Sequence, residues 1–139
     1  MTGIGGEYVD NAGLVHQLRM THAGVGDPEL LLAAFRSALL YLPQDGRGTV
    51  WAGDQGGIRW VHAFTGEDEM AAFAARRGHR EPELAYLTVR GRRLLEQVGR
   101  AAGVPTGVAL DAAGATPMLF PPVRGIVPDE VAVDGGSGA

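Results

Sequence analysis

Hydrophobic positions recur along this chain with two different periods, and the switches between them mark its elements. Leu31, Ala34, Phe35, Ala38 and Leu39 fall at i, i+3, i+4, i+7 and i+8, the stripe of a helix facing a core. Asp27 is placed to cap that helix and Pro28 suits its first position. Pro43 ends it, so Leu39 to Leu42 are expected to turn extended. From Ile58 the period becomes two: Ile58, Trp60, His62 and Phe64 alternate with Arg59, Val61 and Ala63 in a strand. A second helix follows at once. Thr65 is the expected cap, Asp68 stands at N3, and Glu67, Asp68 and Glu69 put negative charge at the first turn. Met70, Phe73 and Ala74 give the apolar stripe, and Gly78 closes the helix after Arg76 and Arg77.

The remaining segments are shorter. Leu14, Val15 and Leu18 make one face of a short helix ending near Gly24. Asp45-Gly46-Arg47-Gly48 is a turn, Thr49 to Ala52 a strand, and Asp54-Gln55-Gly56-Gly57 the turn of an antiparallel hairpin with the Ile58 strand. Leu84 to Val89 reads as a strand and Gly91 to Ala102 as a helix stopped by Gly103, with Leu94, Leu95, Val98, Ala101 and Ala102 on one side. Val108 to Leu110 and Met118 to Phe120 form a last strand pair around Asp111 to Gly114, the second confined by Pro117, Pro121 and Pro122. The order implies one α+β domain, a mainly antiparallel or mixed sheet packed by about three helices. Its limits are 27–127, after a weakly patterned segment 1–26 that holds the short helix and before a Gly-rich tail at 128–139 expected to be disordered.

Composition narrows the chemistry more than the fold. The chain has 139 residues, 45% hydrophobic and 20% charged, ordinary for one folded domain. All twelve basic residues are arginine and none is lysine, which excludes a P-loop, a Schiff base and pyridoxal phosphate attachment. The absence of cysteine removes thiol nucleophiles, iron–sulfur clusters and zinc knuckles. The serines, Ser37 and Ser137, sit in a helix and in the tail, away from any nucleophile elbow. His16, His22, His62 and His79 lack the i, i+4 spacing of a helical metal site, so no cofactor or metal is expected. A net charge of −4 argues against nucleic acid. No apolar run approaches the ~20 residues of a membrane span, and the N-terminus lacks a signal-peptide pattern; a cytoplasmic location is expected.

Three stretches resemble a known family: Leu-Leu-Ala-Ala-Phe-Arg-Ser-Ala-Leu-Leu-Tyr-Leu-Pro (31–43), Trp-Val-His-Ala-Phe-Thr (60–65) before Met-Ala-Ala-Phe (70–73), and Leu-Thr-Val-Arg-Gly-Arg-Arg-Leu-Leu (87–95). Together they are similar to the SseB N-terminal-domain family, in particular its small stand-alone actinobacterial members, over roughly Pro28 to Pro122. The resemblance implies an α+β fold and no established enzymatic activity. Its association with specialised secretion loci implies a protein partner. Where the family often has an Asn-Pro turn after the Val108 strand, this chain has Asp111-Ala112.

Candidate site residues are few. Arg90, Arg92 and Arg93 gather at a helix N-terminus, either as an anion or acidic-partner site or as a solvated face balanced by the acids at 67–69. His62 is a proton-transfer candidate or a half-buried histidine with one partner. Trp51 and Trp60, expected to face each other across the hairpin, are core residues or an aromatic anchor. The acids at 67–69 are explained by capping, since consecutive helical side chains do not face one another. Gly46 to Gly53 lacks dinucleotide spacing. Two readings stay open: a non-enzymatic interaction module with a protein partner, and a binder of, or enzyme on, an anionic metabolite using His62 or the arginines. Self-association through an edge strand is compatible with both.

Overall fold

A computed structural model describes residues 11–80 and 83–134. Helix α1 (Ala12–His22) precedes α2 (Pro28–Ser37), β1 (Leu39–Pro43), β2 (Ala52–Gln55), β3 (Ile58–Ala63), α3 (Glu67–Arg76), β4 (Tyr86–Arg90), α4 (Gly91–Ala102), β5 (Thr106–Leu110) and β6 (Met118–Phe120). The α+β fold is as expected, with four helices among the described residues, the short N-terminal one included.

Two sheets share the strands. β1 and β4 pair antiparallel, while β2-β3-β5-β6 form a mixed sheet in which β3 and β5 run parallel. They are stitched together by Tyr41 and Phe64, which exchange two backbone hydrogen bonds of 2.9 Å. Beyond that bridge β1 and β3 part, and Trp51 fills the fork. Its N–H donates to the Pro43 carbonyl at 2.9 Å, and its own carbonyl accepts the His62 N–H at 3.0 Å. Pro43 has no N–H to offer back, which leaves the Trp51 carbonyl to β3.

Helices cover both faces. Val61, Ala63, Val108 and Leu110 join Leu14, Leu18, Leu31, Phe35, Leu95 and Val98 in the main core, with Phe35 and Phe120 stacked at 4.1 Å. On the opposite face Phe64 and His62 meet Phe73 of α3, at 5.3 and 4.5 Å between ring centroids.

Four expectations change. The cap of α3 is Gly66, whose backbone is extended, so Glu69 and not Asp68 occupies N3 and no side chain caps the helix. Thr65 lies one residue before the cap, and its hydroxyl donates to Asp111 at 2.8 Å, 46 residues away in sequence. The strand expected at Thr49 to Ala52 lies at Ala52–Gln55 instead, so Asp54 and Gln55 belong to it and the β2–β3 turn is Gly56-Gly57 alone, both with positive φ. Residues 129–131 of the expected tail form a 3-10 turn, with the Val133 N–H donating to the Pro122 carbonyl at 2.8 Å. Residues 135–139 of the expected tail and residues 1–10 lie outside the described residues.

The β4–α4 junction rests on one glycine. A Cβ at Gly91 would overlap the Phe35 carbonyl oxygen and stand 2.7 Å from its carbon, while the Gly91 N–H donates to the Ala38 carbonyl at 2.9 Å. Gly91→Ala therefore forces α2 and α4 apart and should cost about 2–3 kcal/mol in chemical denaturation. Gly46→Ala, with open space around it, should stay within about 0.5 kcal/mol. Equal losses would show that the close approach is not limiting.

Candidate interaction site

β4 is bound along one edge only. Its backbone alternates: the Gln44 N–H donates to the Ala85 carbonyl and the Gly91 N–H to the Ala38 carbonyl, both at 2.9 Å. In an antiparallel ladder of this register the bonded pairs are then Leu42 with Leu87 and Leu40 with Val89. Tyr86 and Thr88 turn their N–H and C=O groups the other way, and no backbone partner meets them among the described residues. Pro43 sits opposite Tyr86, where no N–H is required.

Side chains of β4 divide in the same rhythm. Tyr86, Thr88 and Arg90 share the face of Tyr41; the Tyr86 hydroxyl donates to Glu67 at 2.8 Å and its ring lies 5.5 Å from that of Tyr41. That carboxylate, first among the causes, holds the phenol above its ordinary pKa. Leu87 and Val89 share the face of Leu40 and Leu42, but Leu87 stays 37% exposed because it borders a groove of about 940 Å³. Val50, Trp51, Ala52 and Val61 line it as well, with Leu94 and Val98 of α4. The rim is polar and self-satisfied. Asp45 accepts the N–H groups of Thr49 and Arg47 at 3.0 and 2.8 Å, which, in that order, lower its pKa. Asp54 accepts from Arg59 at 2.9 Å, and that bond lowers the carboxyl and raises the guanidinium.

The residues singled out in the sequence do not converge. Arg90 donates to the Ser37 carbonyl at 2.8 Å at the end of α2, and Arg92 borders a separate depression with Arg36 and Asp129. Arg93 is exposed and shares neither contact. The amino end of α4 is itself closed by Phe35 and Ala38 of α2. Trp51 and Trp60 do not stack. Arg77 lies 4.8 Å over the Trp51 ring, which also approaches Phe73 and His79 at 6.2 Å. Trp60 lies over Gly107, where a Cβ would come within 2.8 Å of its Cζ3. His62 packs on Phe73, its buried Nδ1 without a hydrogen bond; burial first and Arg77 second lower its pKa, so it is neutral near pH 7. Among the described residues no three His, Asp or Glu side chains cluster as a metal site, and no helix is long and apolar enough to cross a membrane.

Two polar residues escaped sequence reasoning. Asn11 Nδ2 donates to the Leu39 and Thr65 carbonyls at 2.7 and 2.9 Å, and its Oδ1 accepts the Leu39 N–H at 3.2 Å. Asp111, at φ 52 and 4% exposed, accepts the N–H and hydroxyl of Thr65 at 2.9 and 2.8 Å, tying the ends of β3 and β5. An aspartate directly after a strand was the available signal, since Asp and Asn tolerate left-handed backbone better than most residues.

Comparison with protein-family models, with curated proteins and with solved structures finds no match for this chain.

Burial raises the Asp111 carboxyl to about 6, against the two Thr65 hydrogen bonds and with help from Glu69. A folded-state pKa above the unfolded value of 3.8 means that the folded form holds the extra proton. This group's contribution to stability is therefore full below pH 4 and is lost as pH rises through 6. Asp111→Asn keeps an acceptor for the Thr65 N–H and removes the ionisation. Its stability relative to the parent should rise by roughly 2–3 kcal/mol between pH 4 and 7 in urea titrations. A difference independent of pH would refute the assignment.

Proposed function

We propose that this protein is a non-catalytic interaction module that holds an extended polypeptide segment along the outer edge of β4. The observation that carries the reading is the alternation of β4. Its inward groups are committed to β1, its outward groups at Tyr86 and Thr88 have no backbone partner among the described residues, and Leu87 and Val89 border an apolar groove on one face of the strand. Strand addition uses this combination: main-chain hydrogen bonds supply affinity, and alternate side chains over the groove supply selectivity. The exclusion of lysine, cysteine and active-serine chemistry supports it, as does the lack of a hydrogen-bond partner on His62 Nδ1 among the described residues. The protein partner implied by the SseB resemblance is compatible with it. The anionic-metabolite reading has less support, because Arg90, Arg92 and Arg93 face different surroundings.

A random peptide library displayed on phage and selected on the purified protein tests the reading. Enriched peptides should carry apolar residues at alternate positions. Their affinity should fall about tenfold or more in Thr88→Pro, which removes an outward N–H without touching the β1 ladder, and in Leu87→Asp. Failure to enrich any sequence, or binders indifferent to both substitutions, would count against the reading.

A further inference from the structure

Resting on that assignment of the β4 edge, we infer that its occupant is a second copy of this chain, paired antiparallel about a two-fold axis through Thr88. The edge is self-complementary, and one register engages the whole strand. Outward-facing residues must meet outward-facing residues, so Tyr86, Thr88 and Arg90 can pair only among themselves. Placing Thr88 opposite its own copy engages all five residues of the strand, with Tyr86 against the copy's Arg90 and Leu87 against its Val89. The shift that sets Arg90 against Arg90 opposes like charges, which disfavours it.

Charge selects the same register. Glu67 is fixed at the tip of Tyr86 by the 2.8 Å hydrogen bond from the phenol, so the outer face of the strand is acidic at its start and basic at its end. Arg90 gives one N–H to the Ser37 carbonyl and keeps its other donors, and a two-fold axis sets it opposite the copy's Tyr86, on the side of Glu67, twice in the dimer. On the other face the Leu87 and Val89 pairs join the two apolar grooves into one surface. Pairing in this way also satisfies the exposed N–H and C=O groups that an unprotected edge leaves open to indiscriminate association.

Light scattering after size exclusion, over a wide concentration range, should give a mass rising from 14.5 kDa towards twice that value. Thr88→Pro should remain monomeric, with an unchanged circular dichroism spectrum. Arg90→Glu should weaken the dimer about tenfold, and adding Glu67→Arg should restore it. Thr88→Cys supplies a check independent of Thr88→Pro folding: the chain has no cysteine, and facing residues of a hydrogen-bonded pair lie ~5.5 Å apart at Cα, within disulfide reach. Mild oxidation should therefore link it into a dimer. A parent that stays monomeric at every concentration while still binding selected peptides would overturn self-pairing and leave the edge reading intact. A parent that dimerises while Thr88→Pro also dimerises and Thr88→Cys does not link would place the contact elsewhere and overturn the inference. A monomer that selects no peptide would remove both.

Discussion

Strand β1 spends hydrogen bonds on both sides, and the rest of the structure hangs from that division. Leu40 and Leu42 bind β4, while Leu39, Tyr41 and Pro43 turn the other way to three unrelated partners: the Asn11 carboxamide, the Phe64 backbone and the Trp51 N–H. A five-residue strand thereby joins two sheets that share no long ladder. The Asn11 side chain stands in for a strand at one end, and Pro43 opens the fork at the other. Unpaired backbone groups inside a protein are costly, so each must find a partner, and here one carboxamide and one tertiary amide without an N–H complete the set.

The functional consequence falls on β4. With β1 shared, β4 has a strand neighbour on one side and none on the other among the described residues, and Leu87 borders a groove lined also by the β2–β3 hairpin and α4. Protein edges are ordinarily blunted by charge, brevity or proline. Here the strand is short, with Glu67 of α3 held at the Tyr86 end of one face and the charge of Arg90 at the other. The arginines that looked like an anion site serve architecture at least in part, since Arg90 and the start of α4 meet the carbonyls at the end of α2.

Much of this was legible from local signals. The stripe from Leu31 to Phe35, Gly103 after α4 and the glycine pair of the hairpin each act within a few residues; the two helices formed as the pattern indicated, and the hairpin formed with its first strand shifted towards the glycines. Thr65 was misassigned because its competitor, Asp111, is distant in sequence, and a hydrogen bond across a parallel strand pair leaves no periodicity to read. Asn11 was invisible for the same reason. Gly91 seemed an unremarkable first residue of a helix; only the approach of the Phe35 carbonyl explains why no side chain fits. Tryptophans that alternation placed on one face of the hairpin were separated because Trp51 belongs to the fork, with Arg77 over it, and Trp60 to the β5 side. The edge itself was foreseeable only as a category, since which strand lacks a neighbour depends on long-range order.

Residue-resolved amide hydrogen exchange by NMR on dilute protein tests the organisation of β4 most directly. Exchange reports whether each N–H is locked in a ladder or open to water. The amides of Leu87 and Val89, bonded to β1, should exchange far more slowly than those of Tyr86 and Thr88, so that protection alternates along the strand. Protection of Tyr86 and Thr88 equal to that of Leu87 and Val89 in the monomer would mean that the outer edge is already covered, and would contradict the account.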